Sequence, residues 1–133
     1  MIFANNFDLT EQALAEIREV DLMFFLTGSR FFGLAKAKSD YDFFTQDNEE
    51  ARDFLTACDF EEIILSESLA SQYQDPLIEG IFKKGNVHIQ LVNNVALKRK
   101  IQEYLKESGL MSLFHNDKSS TRKLWHLLIK VGL

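Results

Sequence analysis

Apolar positions near the start of the chain recur at helical spacing: Leu14, Ile17 and Val20 mark one face of a helix, with Thr10 or Asp8 as its N-cap. The run Leu22-Met23-Phe24-Phe25-Leu26 is continuously apolar and ends at Thr27-Gly28, which predicts a buried strand. A short turn or helix through residues 30–36 follows, closed by Gly33 and the polar stretch 36–39. Tyr41, Phe43 and Thr45 then alternate with Asp40, Asp42 and Phe44, so residues 40–45 form a second strand. Asn48 caps a helix over residues 49–57, whose acidic first turn suits the positive end of the helix dipole.

Residues 60–65 predict a third strand with two exposed glutamates, and the polar stretch 66–75 predicts a loop. Residues 78–83 and 87–92 form a hairpin through Lys84-Gly85-Asn86. Two helices finish the chain. One covers about residues 94–106 and ends at Gly109; the other starts at Ser119 or Ser120 and carries Leu124, Leu127, Leu128 and Val131 on one face. The order αβαβαβββαα fits an α/β or α+β fold with a mixed sheet, in a single domain over residues 1–133.

At 133 residues the chain is long enough for one core and too short for two. Twelve phenylalanines make that core aromatic-rich. No apolar run reaches membrane-spanning length, and the opening MIFANNFDLT lacks the basic and apolar regions of a secretory signal. With Cys58 as the lone cysteine, no intrachain disulfide can form, so the expected location is cytoplasmic, without a membrane partner. Cys58 itself reads as a buried helix residue, since nothing nearby would activate it as a nucleophile.

The net charge of −5 is unevenly distributed. Residues 1–79 hold 5 basic and 17 acidic side chains, whereas residues 80–133 hold 10 basic and 3 acidic ones. An acidic half beside a basic half suits a metal site facing a phosphate-binding surface, or halves that neutralise each other within one domain. The overall negative sign argues against a dedicated duplex DNA binder.

The chemistry concentrates in Leu26-Thr27-Gly28-Ser29-Arg30-Phe31-Phe32-Gly33 and in Ser39-Asp40-Tyr41-Asp42. A strand that runs into Gly28-Ser29 at a helix start offers free backbone N–H groups to a phosphate. Gly28 permits close backbone approach, and Ser29 adds a hydroxyl donor. Asp40 and Asp42, two apart on a strand, point from the same face of the sheet. Paired carboxylates beside a phosphate cradle suit Mg²⁺ bridging protein and triphosphate. Arg30, Lys36 and Lys38 flank the motif and either reach phosphates or stay solvated.

These residues resemble the nucleotidyltransferase superfamily, the DNA polymerase beta-like group that includes the minimal nucleotidyltransferases. Its signature is an apolar strand, Gly-Ser or Gly-Gly, about ten residues, then Asp-apolar-Asp. Gly28, Ser29, Asp40, Tyr41 and Asp42 match it, as do Gly33 and Ser39. The match is close over residues 22–45 and looser to Val92. The resemblance implies that Gly28, Ser29, Arg30 and Ser39 bind a nucleoside triphosphate while Asp40 and Asp42 hold Mg²⁺. A nucleoside monophosphate would pass to an acceptor hydroxyl on a protein side chain, a small molecule or an RNA end, with the basic C-terminal half or a partner recognising the acceptor.

One position departs from the family. Its third carboxylate lies on a later strand, by order residues 87–92, where the face opposite Val87, Ile89 and Leu91 carries His88 and Gln90. Neither is acidic. Gln90 is the favoured equivalent and His88 the close alternative. A neutral glutamine weakens a second metal site, which leaves either a slowed transferase or an inactive relative that binds nucleotides or a partner. His115 and His126 read as structural, the basic run Lys98-Arg99-Lys100 as helix surface, and Trp125 as core.

Overall fold

The computed structural model describes residues 6–33, 35–64, 76–110 and 118–131. It places ten elements in the expected order: α1 (Asn6–Glu19), β1 (Phe25–Thr27), α2 (Gly28–Phe31), β2 (Tyr41–Gln46), α3 (Glu49–Ala57), β3 (Glu61–Ile63), β4 (Ile78–Lys84), β5 (Val87–Val92), α4 (Val95–Ser108) and α5 (Lys118–Val131). The five strands form one mixed sheet in the order β1-β2-β5-β4-β3. Only the β2–β5 pair is parallel; the other three pairs are antiparallel. The fold is therefore α/β in its layering, with helices on both faces of a mixed sheet.

Strand alternation sorts the side chains between those faces. Val87, Ile89 and Leu91 turn to the first face and pack with Ala13 and Ile17 of α1 and Ala51 and Leu55 of α3. On the second face Phe44 and Val92 pack beneath Val95 and Leu97 of α4 and Ile129 of α5. Ile101 and Leu105 of α4 then meet Leu128 of α5. Burying apolar area at roughly 25 cal/mol per Å² makes these two layers the main source of stability.

Local signals explain several boundaries. The Asn48 carboxamide accepts from the Ala51 N–H at 2.8 Å and starts α3 where expected. Asn94 does the same for α4 through the Leu97 N–H, and Gly109 ends that helix in the left-handed conformation. The β4–β5 hairpin closes on Gly85-Asn86.

Four expectations are corrected. Helix α1 begins at Asn6, so Thr10 and Asp8 lie inside it rather than at its cap. Thr10 is buried, and its hydroxyl accepts from the Asn86 N–H at 2.8 Å, tying α1 to the hairpin turn. The apolar run at 22–26 yields only the three-residue β1, at an edge of the sheet. On α5 the packed face is Leu124, Trp125, Leu128 and Ile129, while Leu127 and Val131 are exposed. Lys98 is buried instead of lying on the helix surface, with its ammonium 5.3 Å from the Phe44 ring centroid and 4.8 Å from that of Trp125. The expected loop at 66–75, Leu65 and His115 lie outside the described residues.

Candidate functional site

Helix α2 is one turn long, and its N-cap Thr27 makes no side-chain cap hydrogen bond. Its first residue, Gly28, has φ of +69°, a conformation that a side chain would strain. A Cβ at that position would lie 2.5 Å from Oδ2 of Asp42. The carboxylate thus rests against the glycine turn, because β1 and β2 are registered Thr27 against Asp42.

Residue 40 precedes β2 and residue 42 is its second member. The Asp40 side chain is about half exposed at 53% and that of Asp42 is 27% exposed, so both can reach a solvent-borne cation. On the other side of β2, Asp42 is registered against His88 of β5. The imidazole Nδ1 lies 3.3 Å from Asp42 Oδ1 and 3.9 Å from Asp40 Oδ2. His88 thereby holds both carboxylates within ion-pairing reach of one ring nitrogen.

Gln90 sits one repeat deeper. It is registered against Phe44 and Ile81, it is buried, and its Oε1 has no hydrogen-bond partner. The β5 residue brought to the aspartates is therefore His88, and Gln90 stays buried between Phe44 and Ile81 of the neighbouring strands. Alternation placed both on the correct face; the depth along the strand depends on the β2–β5 register, which is not a local property of the sequence.

The other expected phosphate contacts have local partners. Arg30 turns away from α2, donates from Nη2 to the Ser39 carbonyl at 2.7 Å, and stacks 3.7 Å from the Tyr41 ring centroid. The Ser39 hydroxyl accepts from the Lys36 N–H at 2.8 Å. Both residues brace the loop that enters Asp40. Gly28 and Ser29 remain at the turn beside Asp42.

One cation was missed. Lys83 is registered against His88 on β4, so a row Thr27, Asp42, His88, Lys83, Glu61 runs across the site face from β1 to β3. Neighbours in such a row have Cβ atoms about 5 Å apart. Lys83 is exposed, so its ammonium can serve an anion over the carboxylates. The expected three-residue connection Lys84-Gly85-Asn86 would set Lys83 opposite Val87; the turn holds only Gly85-Asn86, which shifts the register by one and sets Lys83 opposite His88.

Helix α4 supports the site from beneath. Gln102 is buried and donates from Nε2 to the Leu26 carbonyl at 3.0 Å, anchoring β1 just before the glycine turn. Arg99 stacks on Phe25 and Lys106 on Phe31, at 4.3 and 4.7 Å from the ring centroids. With Lys98 over Phe44 and Trp125 and Lys84 over Phe60, at least four basic groups of the C-terminal half are engaged with aromatic rings of the domain itself.

The donor set suits Mg²⁺ in part. Two carboxylates on one face supply hard oxygen ligands, and an octahedral shell would be completed by water and phosphate oxygens. Among the described residues no group of three His, Cys, Asp or Glu side chains converges as a metal-binding cluster. A cation here would depend on its nucleotide for further ligands.

No described helix is long and apolar enough to cross a membrane. Comparison with known proteins found no match: no family model, no curated protein and no solved structure matches the chain.

Proposed function

We propose that this chain binds a magnesium–nucleoside triphosphate at Gly28, Ser29, Asp40 and Asp42 and transfers its nucleoside monophosphate to an acceptor hydroxyl. The observation that carries this reading is the seating of the Asp42 carboxylate against Gly28, with Asp40 beside it on the same face. That arrangement puts a close-approach turn and paired anions within one triphosphate's reach.

In the reaction, the acceptor oxygen bonds to the α-phosphorus, the bond from that phosphorus to the bridging oxygen breaks, and pyrophosphate leaves. Mg²⁺ would neutralise charge on the phosphates. The chain's own residues position and orient. Asp40 and Asp42 fix the cation, the turn at Gly28-Ser29 receives the terminal phosphates, and Lys83 adds a positive charge from the next strand but one. The hydroxyl proton passes to an aspartate oxygen or to water. Positioning of this kind is the main catalytic contribution in phosphoryl chemistry.

A second reading has its own observation. The β5 position that meets the aspartates carries the imidazole of His88 in place of a third carboxylate. That composition favours a chain that binds the nucleotide with one metal and transfers slowly or not at all, acting as a nucleotide- or partner-binding module.

Calorimetric titration with Mg²⁺ and ATP, GTP, CTP or UTP tests the shared core of both. Magnesium-dependent binding that disappears in the Asp40→Asn/Asp42→Asn double variant is expected. No binding of any of the four would sink both readings, while binding without turnover on any acceptor would select the second.

A further inference from the structure

A groove of about 580 Å³ opens on the first face of the sheet, on the side away from Asp42 and His88. That volume falls within the roughly 300–1,000 Å³ of small-molecule sites. Leu14 of α1, Leu22, Phe24 and Leu26 along the β1 segment, and Phe43 of β2 form its apolar wall. All five are only partly buried, so a substantial apolar surface stays wet inside a recess.

The charges at this groove are selective. Residues 1–79 carry 17 acidic side chains and only 5 basic ones, yet both charged residues lining the groove are arginines, Arg18 and Arg30. Arg18 is exposed at the rim. Arg30 has one nitrogen committed to the Ser39 carbonyl, while its buried Nε has no hydrogen-bond partner. Among the described residues no carboxylate lines the groove to match these two guanidinium charges, and an anion bound there would be attracted by both.

We propose that the groove is a second binding site, for a small amphipathic monoanion: a carboxylate on a hydrocarbon or aromatic body. The body covers the half-buried apolar wall, and the carboxylate lies between Arg18 and Arg30. The position ties this ligand to the carboxylate pair, because the Arg30 guanidinium stacks on Tyr41, which lies between Asp40 and Asp42.

The test is calorimetric titration of octanoate into the whole chain, without magnesium or nucleotide, beside 1-octanol as the neutral body of equal length. Expected are saturable binding of one octanoate per chain and at least tenfold weaker binding of octanol. Arg18→Gln, an exposed substitution, should weaken octanoate about tenfold and leave octanol unchanged. Leu22→Trp, which fills the groove, should abolish both. Absence of octanoate binding, equal affinity for the two ligands, or indifference to both substitutions would overturn the proposal. Sedimentation as a dimer that Leu22→Trp dissociates, with octanoate excluded, would assign the groove to a second copy and overturn it as well. Since magnesium and nucleotide are absent, failure here leaves the reading of Asp40 and Asp42 standing.

Discussion

Gly28 and Asp42 meet at a distance that excludes a side chain at position 28, since a Cβ there would lie 2.5 Å from Oδ2 of the aspartate. Gly28→Ala should therefore damage the site in two ways. It strains a backbone at φ +69°, at a cost of about 1–2 kcal/mol, and it pushes the Asp42 carboxylate off the turn. Urea unfolding should register the modest first effect, and calorimetry a much larger loss of magnesium–nucleotide binding. Unchanged nucleotide affinity would separate the turn from the site.

His88 and Gln90 make opposite predictions when replaced by aspartate. His88→Asp places a third carboxylate beside Asp40 and Asp42, so Mg²⁺ affinity should rise about tenfold or more, with faster transfer if the chain is an enzyme. Gln90→Asp puts a charge in a buried position beside Phe44 and Ile81. It should cost about 3 kcal/mol or more of stability with no gain in Mg²⁺ affinity. Improved Mg²⁺ binding by Gln90→Asp would return the third role to that position.

Gln90→Leu is expected to be neutral or stabilising by up to about 1 kcal/mol, because the glutamine Oε1 is buried without a partner. Thermal unfolding checks this. A loss above 2 kcal/mol would mean that the carboxamide satisfies a neighbour.

Lys83→Ala should weaken magnesium–nucleotide binding about three- to tenfold while leaving stability nearly untouched, as expected for an exposed cation that meets phosphates through solvent. High salt should narrow the difference between the variant and the parent.

The Asp47–Arg52 pair sets an acid-side limit. Arg52 donates from Nε to Asp47 Oδ1 at 2.8 Å, and that hydrogen bond holds the Asp47 carboxyl below its ordinary value against the opposing effect of burial. Gly80 leaves room for this guanidinium to cross β4 toward Glu62, to which it also donates at 3.2 Å. A depressed carboxylate contributes stability that is fully present above its unfolded pKa, near 3.9, and is lost as pH falls through the lower folded value. Asp47→Asn should cost about 1 kcal/mol at pH 7, discounted because Arg52 is partly solvated. The difference from the parent should shrink as the pH falls below the ordinary carboxylate range and vanish once it has passed the lowered Asp47 value. A pH-independent cost would remove the ion pair as the cause.

What the sequence made legible was mostly local. Asn48 as a cap, Gly109 as a stop and the hairpin between residues 78–83 and 87–92 all depend on neighbours within a few residues, and the structure has each, with the hairpin turn one residue shorter than expected. The pairing of Asp40 and Asp42 on one face followed from strand alternation alone. What escaped depends on distant partners. Lys98 looked like surface because its aromatic neighbours come from Phe44 and Trp125, far away in the chain. The run at 22–26 looked like an interior strand because a wall of a groove and a buried strand use the same apolar residues. Arg30 looked free for phosphate until the fold laid it on Tyr41.

The parallel pairing of β2 with β5 also fixes an order of events. Asp42 meets His88 only through a ladder that joins residues 41–46 to 87–92, so closing it requires capture of a long intervening loop. During synthesis the glycine turn and both aspartates emerge well before the strand that completes their row. A nascent chain arrested before residue 87 would display the recognisable motif and have no assembled site. Ligand binding by such arrested chains, measured as residues are added one strand at a time, should switch on only with β5.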